Sequence, residues 1–285
     1  MSGGEEPLLG GRVILITGAA NGIGRAVAEA CAREGGKLVL CDVGCDREGH
    51  GSDPELVARA AAALRATGTD VVLDASDITG DGVPARLCTI AREAFGRLDG
   101  VVSCAGVSIE RTVGKSDDAL VSRVLDVHVR ASFSLVRAAS AAMIEGKVGG
   151  SIVLASGTAA FFGARGQAAL GGAQAAIVAL ARSAALELRR HDVRVNAVVP
   201  TAKTRATEDL PTFASIAEGS LSPEHVAALV VFLLSPLAAE VSGEVVGVAG
   251  ARTYAFRTRE SPGAFAEGGP ASPRWLAAQW RDVVR

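Results

Sequence analysis

Between Ile16 and Gly24 the chain reads ITGAANGIG, and further on the run KLVLCD ends at Asp42. Glycines at Gly18, Gly22 and Gly24 allow a tight backbone turn and close approach to a ligand. A helix starting there aims free N–H groups and a positive dipole end at it. That combination suits a diphosphate. A glycine-rich loop alone is a weak signal, but here the apolar run RVILIT precedes it and the amphipathic segment GIGRAVAEACAREGG follows, as the motif requires. A carboxylate closing the second strand can bind both ribose hydroxyls and would repel a 2′-phosphate, so Asp42 favours NAD(H) over NADP(H).

A second stretch raises the opposite question. In GARGQAALGGAQAAIVALARSAALEL, Gly163 to Leu188, no ionisable side chain occurs from Gly166 to Val178. A helix this rich in alanine and glycine offers neither acid nor base.

The elements that must hold these residues follow from the pattern. Short apolar runs alternate with amphipathic segments: strands at Arg12–Thr17, Lys37–Asp42, Asp70–Asp74, Asp99–Gly106, Gly150–Ser156, Asp192–Pro200 and Gly243–Gly250. Helices are expected near Glu55–Thr67, Val83–Phe95, Asp117–Glu145, in the alanine-rich stretch and near Pro223–Leu234. This alternation predicts an α/β fold, a single Rossmann-type doubly wound parallel sheet of about seven strands with helices on both faces. We expect a flexible tail over residues 1–9, the Rossmann domain over 10–250, and an extension over 251–285, rich in Gly, Pro and Arg, packed on the core or a neighbouring subunit.

Bulk properties narrow the function. The 285 residues are 49% hydrophobic and 21% charged, as a globular chain with a large core requires. A net charge of -2 provides no basic field for nucleic acid or anionic lipid. No apolar run is expected to be long enough to span a bilayer, and the acidic opening MSGGEEPLLGGR is unlike a secretory signal. Five scattered cysteines (Cys31, Cys41, Cys45, Cys88 and Cys104) show no metal-ligand spacing and read as unpaired thiols of a reducing cytoplasm.

The spacing TGxxxGxG over Thr17–Gly24 resembles that of the short-chain dehydrogenases/reductases, with further likeness in SDI (Ser76–Ile78), SCAG (Ser103–Gly106) and VRVNAVVP. The stretches DVGCDREGHGS, CAGVSIERT, VHVRASF, GARGQ, KTRATE and WLAAQW are similar to the (R)-3-hydroxyacyl-CoA dehydrogenase domain of peroxisomal multifunctional enzymes and its bacterial relatives. The resemblance implies an NAD site formed by Gly18, Asn21, Gly22, Ile23, Gly24, Asp42, Asp77, Ile78, Ala105 and Gly106.

The resemblance also implies a Tyr that protonates the substrate carbonyl, a Lys four residues later on the same helix face, a Ser before them and an Asn in the long helix. Those positions hold Leu170, Gln174, Gly157 and His128, the last a residue common in this subfamily. Ser156 and Thr158 flank Gly157, and Glu110, Arg111 and Arg165 are the other polar residues expected near His128. Arg205 stands where many relatives carry a Thr that contacts the nicotinamide. The one tyrosine, Tyr254, lies beyond the last expected strand.

No catalytic residue and no metal ligand is therefore assigned. The expected function is an NAD(H)-binding member of this family with a dismantled hydride-transfer site. It would be a non-catalytic partner of an active homologue or a nucleotide-gated regulator, in a cytoplasmic homo- or hetero-oligomer, dimer or tetramer. Two alternatives remain at this level: a lyase, isomerase or cyclase using a repurposed apolar pocket, and an unorthodox NAD-dependent oxidoreductase acting on a hydroxyacyl or alcohol substrate.

Overall fold

The computed structural model describes residues 6–208, 213, 216, 217 and 219–285. Its strands are β1 (Val13–Thr17), β2 (Lys37–Cys41), β3 (Val71–Asp74), β4 (Gly100–Ser103), β5 (Gly150–Ala155), β6 (Val193–Thr201), β7 (Val245–Ala249) and β8 (Arg252–Ala255). The helices are α1 (Gly22–Arg33), α2 (Pro54–Ala66), α3 (Val83–Phe95), α4 (Asp118–Leu125), α5 (Ala131–Gly146), α6 (Ala159–Phe162), α7 (Ala168–Leu188), α8 (Pro223–Leu234) and α9 (Pro273–Val283).

One sheet of order β3-β2-β1-β4-β5-β6-β7-β8 runs through the molecule. The pairs from β3 to β7 are parallel, and β8 adds antiparallel to β7. The expected doubly wound sheet is present, with one strand more than anticipated. Arg252–Ala255 forms that edge strand in a segment read as extension, because a tight turn at Gly250 (φ +56°) folds the chain back on itself. The first compact unit accordingly closes at Ala255 rather than Gly250.

Strands β1 and β4 are buried throughout; all five residues of β1 are inaccessible, as strands covered on both faces require. Helix α1 packs against α8 and contacts α2, while α3, α5 and α7 pack together on the other face. Local chemistry places the helices. Asp53 caps α2 by accepting from the Glu55 N–H, and Pro54 fills its first position.

Three expectations need correction. Leu9, assigned to a flexible tail, is fully buried, and its N–H donates to the Glu34 carbonyl. The single long helix expected over Asp117–Glu145 is interrupted at Asp126–Arg130, where the backbone opens into a π-type turn carrying His128. Helix α7 with its extension, Ala168–His191, is long and apolar enough to cross a bilayer, a length the sequence reading expected of no segment. Here it is a core helix: Ile177, Ala181 and Ala184 are buried, and it packs on β5 and β6.

Phe256–Arg285 forms a second compact unit. Within it Ser272 caps α9 through the Trp275 N–H, and Pro273 occupies the first turn.

Chain order turns at β1. The strands run outward from β1 to β2 and β3, then resume on the opposite side at β4. In open α/β sheets such a switch point leaves a crevice beyond the carboxyl ends of the strands, where ligands bind.

Candidate functional site

A cavity of about 700 Å³ opens at this switch point. All ten residues expected to hold the nucleotide line it, along with Gly157, Leu170, Gln174 and His128. Glu110, Arg111 and Arg165 are not part of the wall. The Glu110 carboxylate instead accepts from Gln167 Nε2 at 2.7 Å, and the Arg111 N–H donates to the Gly166 carbonyl, which joins the loops after β4 and α6.

The glycine loop is a cradle in the strict geometric sense. A Cβ on Gly18 (φ +68°) would stand 2.8 Å from the backbone of Cys104 and Ala105. A Cβ on Gly24 would collide with the Gly18 carbonyl. Helix α1 begins without a side-chain cap and without an acidic residue in its first turn. Its first N–H groups and dipole end thus remain available to an anion. These residues fit a dinucleotide diphosphate. When bound, a nicotinamide dinucleotide would supply hydride-transfer chemistry that the side chains cannot.

Asp42, just past β2, is anchored. Its Oδ2 accepts from the Ala20 N–H and its Oδ1 from the Gly44 N–H, each at 2.8 Å. Each carboxylate oxygen keeps a further acceptor site for a ribose hydroxyl. At Asp77, burial works to raise the carboxyl. Donation from the Thr79 N–H and hydroxyl, together with the Arg123 guanidinium at 3.4 Å, outweighs it and leaves the group below the usual value.

The reaction end differs in kind. Leu170 is buried in a cluster with Val107, Ile109, Val124, Val127 and Ala173. Gln174 extends over Gly157, so that a Cβ at that glycine would lie 2.5 Å from the amide carbon and Oε1. The glutamine thus occupies the space a side chain on residue 157 would need. Its Oε1 is buried and lacks a hydrogen-bond partner among the described residues.

The two hydroxyls that flank Gly157 are placed differently. Ser156 donates to the backbone carbonyl of Gln174 at 2.9 Å and is thereby committed to the scaffold. Thr158 lines the cavity and is exposed.

His128 packs against the loop after β4, where a Cβ on Gly106 would meet its Cε1 at 2.6 Å. Its Nε2 lies 3.1 Å from the Val107 nitrogen and 2.9 Å from the Val107 oxygen, so either tautomer commits that nitrogen to the backbone. Burial lowers its pKa, only partly opposed by the Val107 hydrogen bond, and the ring is neutral at pH 7. Cys104, also on the wall, is pushed up to about 12 by burial and stays protonated. Tyr254 is not part of the wall; it pairs with Gly247 across β7–β8, and the Arg252 guanidinium stacks 4.5 Å from its ring centre. The arrangement can hold an anion and a ribose beside the buried, apolar Leu170.

Several of these relationships were beyond sequence reasoning. The fit of Gln174 into the space above Gly157 joins residues on different elements, and no spacing rule announces it. The contact of Arg205 Nη2 with the Cys45 carbonyl, at 3.0 Å, spans 160 positions.

Comparison with known proteins agrees with the geometry. Residues 18–251 match the family model described as enoyl-(acyl carrier protein) reductase. The chain is 36% identical to the hydroxyacyl-CoA dehydrogenase ChsB1 of Mycobacterium tuberculosis, over 96% of this chain and 89% of that one. It is 34% identical to the mouse peroxisomal multifunctional enzyme type 2 over 78% of this chain but only 30% of that larger protein. Among solved structures, a short-chain dehydrogenase from Mycobacterium avium superposes with a TM-score of 0.85 and 32% identity, covering 97% of this chain and 95% of that one. Carveol dehydrogenase from the same organism, solved in complex with NAD, gives 0.77 and 26%, covering 85% and 97%. With a family model matched over residues 18–251 and a relative 36% identical across nearly the whole chain, the protein belongs to the short-chain dehydrogenase/reductase family of NAD-binding oxidoreductases.

Proposed function

We propose that this protein binds NAD(H) but does not carry out the family's hydride transfer, serving as the non-catalytic partner of an active homologue or as a nucleotide-gated regulator. The observation that carries this reading is the packing of the Gln174 amide over Gly157 beside the buried Leu170. Three groups that would donate a proton, carry a charge and clamp an oxygen are replaced by groups that fit one another. General acid–base catalysis is worth about 10² to 10⁴ in rate. Its loss leaves only proximity to a bound nucleotide.

The oligomeric part of the proposal draws on exposed apolar side chains: Leu125 on α4, Phe133 on α5 and Leu186 on α7, the last 79% exposed. Such residues are suited to burial against another chain. The five free cysteines support a reducing, cytoplasmic setting.

The test combines binding with turnover. Purified protein should enhance NADH fluorescence on binding, show no turnover of a 3-hydroxyacyl-CoA with NAD, and co-purify with a homologue that carries the Tyr and Lys. Steady oxidation of the thioester by the isolated protein would overturn the reading.

A further inference from the structure

We infer that Arg205 is the cation that recognises the diphosphate of the bound dinucleotide. This deepens the proposed nucleotide binding and rests on it. Arg205 follows Thr204, whose methyl carbon lies 3.4 Å from where a Cβ on Gly22 would stand. The Arg205 backbone therefore sits beside the first turn of α1, where the free N–H groups gather. From there its side chain reaches the Cys45 carbonyl, three residues beyond Asp42 in sequence, at 3.0 Å. Both ends of this span lie on the cavity wall.

Charge accounting separates Arg205 from the other cavity arginines. Arg123 is committed to Asp77 at 3.4 Å and to the Gly49 carbonyl at 2.8 Å. Arg47 is engaged within the protein. Arg205 is exposed, donates to one neutral carbonyl, and has no carboxylate within ion-pair distance among the described residues. A guanidinium has five N–H donors in a planar fork that matches phosphate oxygens. The Cys45 carbonyl takes one and orients the rest. Among the described residues the cavity wall carries no lysine, which leaves Arg205 to meet the nucleotide's negative charge.

The experiment compares wild type with Arg205→Met and Arg205→Lys, using NADH, ADP-ribose, NADPH and adenosine as probes, with circular dichroism to verify folding. The expected result is that Arg205→Met weakens NADH and ADP-ribose about ten- to a hundredfold, leaves adenosine unchanged and flattens the salt dependence of binding. Arg205→Lys should restore part of the affinity. Equal weakening of adenosine would show that the arginine merely holds the Cys45 loop, and would overturn the assignment. A loss confined to NADPH would place the guanidinium at a 2′-phosphate and overturn it as well. Unchanged NADH affinity in Arg205→Met overturns this inference alone, whereas failure of wild type to bind NADH or ADP-ribose overturns it together with the proposed function.

Discussion

The side-chain amide of Gln174 lies over the Cα of Gly157, with its carbon 2.5 Å from the point a Cβ on residue 157 would occupy. The two residues are physically coupled: one is small because the other fills the space. Gly157→Ser alone must displace the glutamine, and overpacking of this kind costs about 1–3 kcal/mol. Gln174→Ala should relieve it. A double-mutant cycle on chemical unfolding is expected to yield a coupling energy of about 1 kcal/mol or more. Additive effects would mean that the amide moves aside freely.

The same coupling governs recovery of chemistry. Gly157→Ser, Leu170→Tyr and Gln174→Lys together install a hydroxyl after β5 and a phenol and a charge one turn apart on α7. Because such groups act as a unit, single replacements should remain inactive. The triple variant should oxidise a 3-hydroxyacyl-CoA with NAD at least a hundredfold faster than wild type. Leu170→Tyr disturbs the cluster of Val107, Val124 and Val127, so the assay needs a folding check beside it. A folded triple variant with wild-type rates would show that the cavity no longer admits such a substrate.

The nucleotide end of this site is the part most legible in the sequence. The glycine loop and Asp42 are local signals, set by strand, turn and helix within a short span, and both lie where their spacing implied. The assignment of Gly157, Leu170 and Gln174 to the family's Ser, Tyr and Lys positions rests on motif register alone. Their mutual packing was not legible in the sequence, since it depends on how β5 and α7 approach. Nor was the edge strand Arg252–Ala255: its side chains are largely exposed, so no buried run marks it. Leu9 was hidden for another reason. A leucine pair after an acidic, glycine-bearing start has no periodicity, and Leu9 is held by its bond to the distant Glu34 carbonyl and by packing in the core.

His128 should make stability depend on pH. Burial depresses its folded-state pKa below the usual value near 6.5, so the unfolded chain binds the proton more readily. The contribution is fully present above pH 6.5 and is lost as the pH falls through the folded-state value. Replacing His128 with Gln should flatten the stability profile between pH 7 and 5 relative to wild type, as measured by urea midpoints. Imidazole resonances that titrate above pH 6.5 would contradict a buried neutral ring.

Asp42 offers the sharpest separation of binding from folding. Its carboxylate holds the Ala20 and Gly44 N–H groups at 2.8 Å each and presents its remaining lone pairs to the cavity. Asp42→Asn keeps one acceptor oxygen and removes the charge that opposes a 2′-phosphate. NADH affinity is expected to fall and the preference for NADH over NADPH to narrow by about tenfold, read from paired fluorescence titrations. Asp42→Ala would strand both backbone donors, each at about 1–3 kcal/mol, so it should lower the unfolding midpoint as well. An Asn variant that keeps the wild-type NADH/NADPH ratio would mean that the aspartate serves the loop and takes no part in reading the ribose.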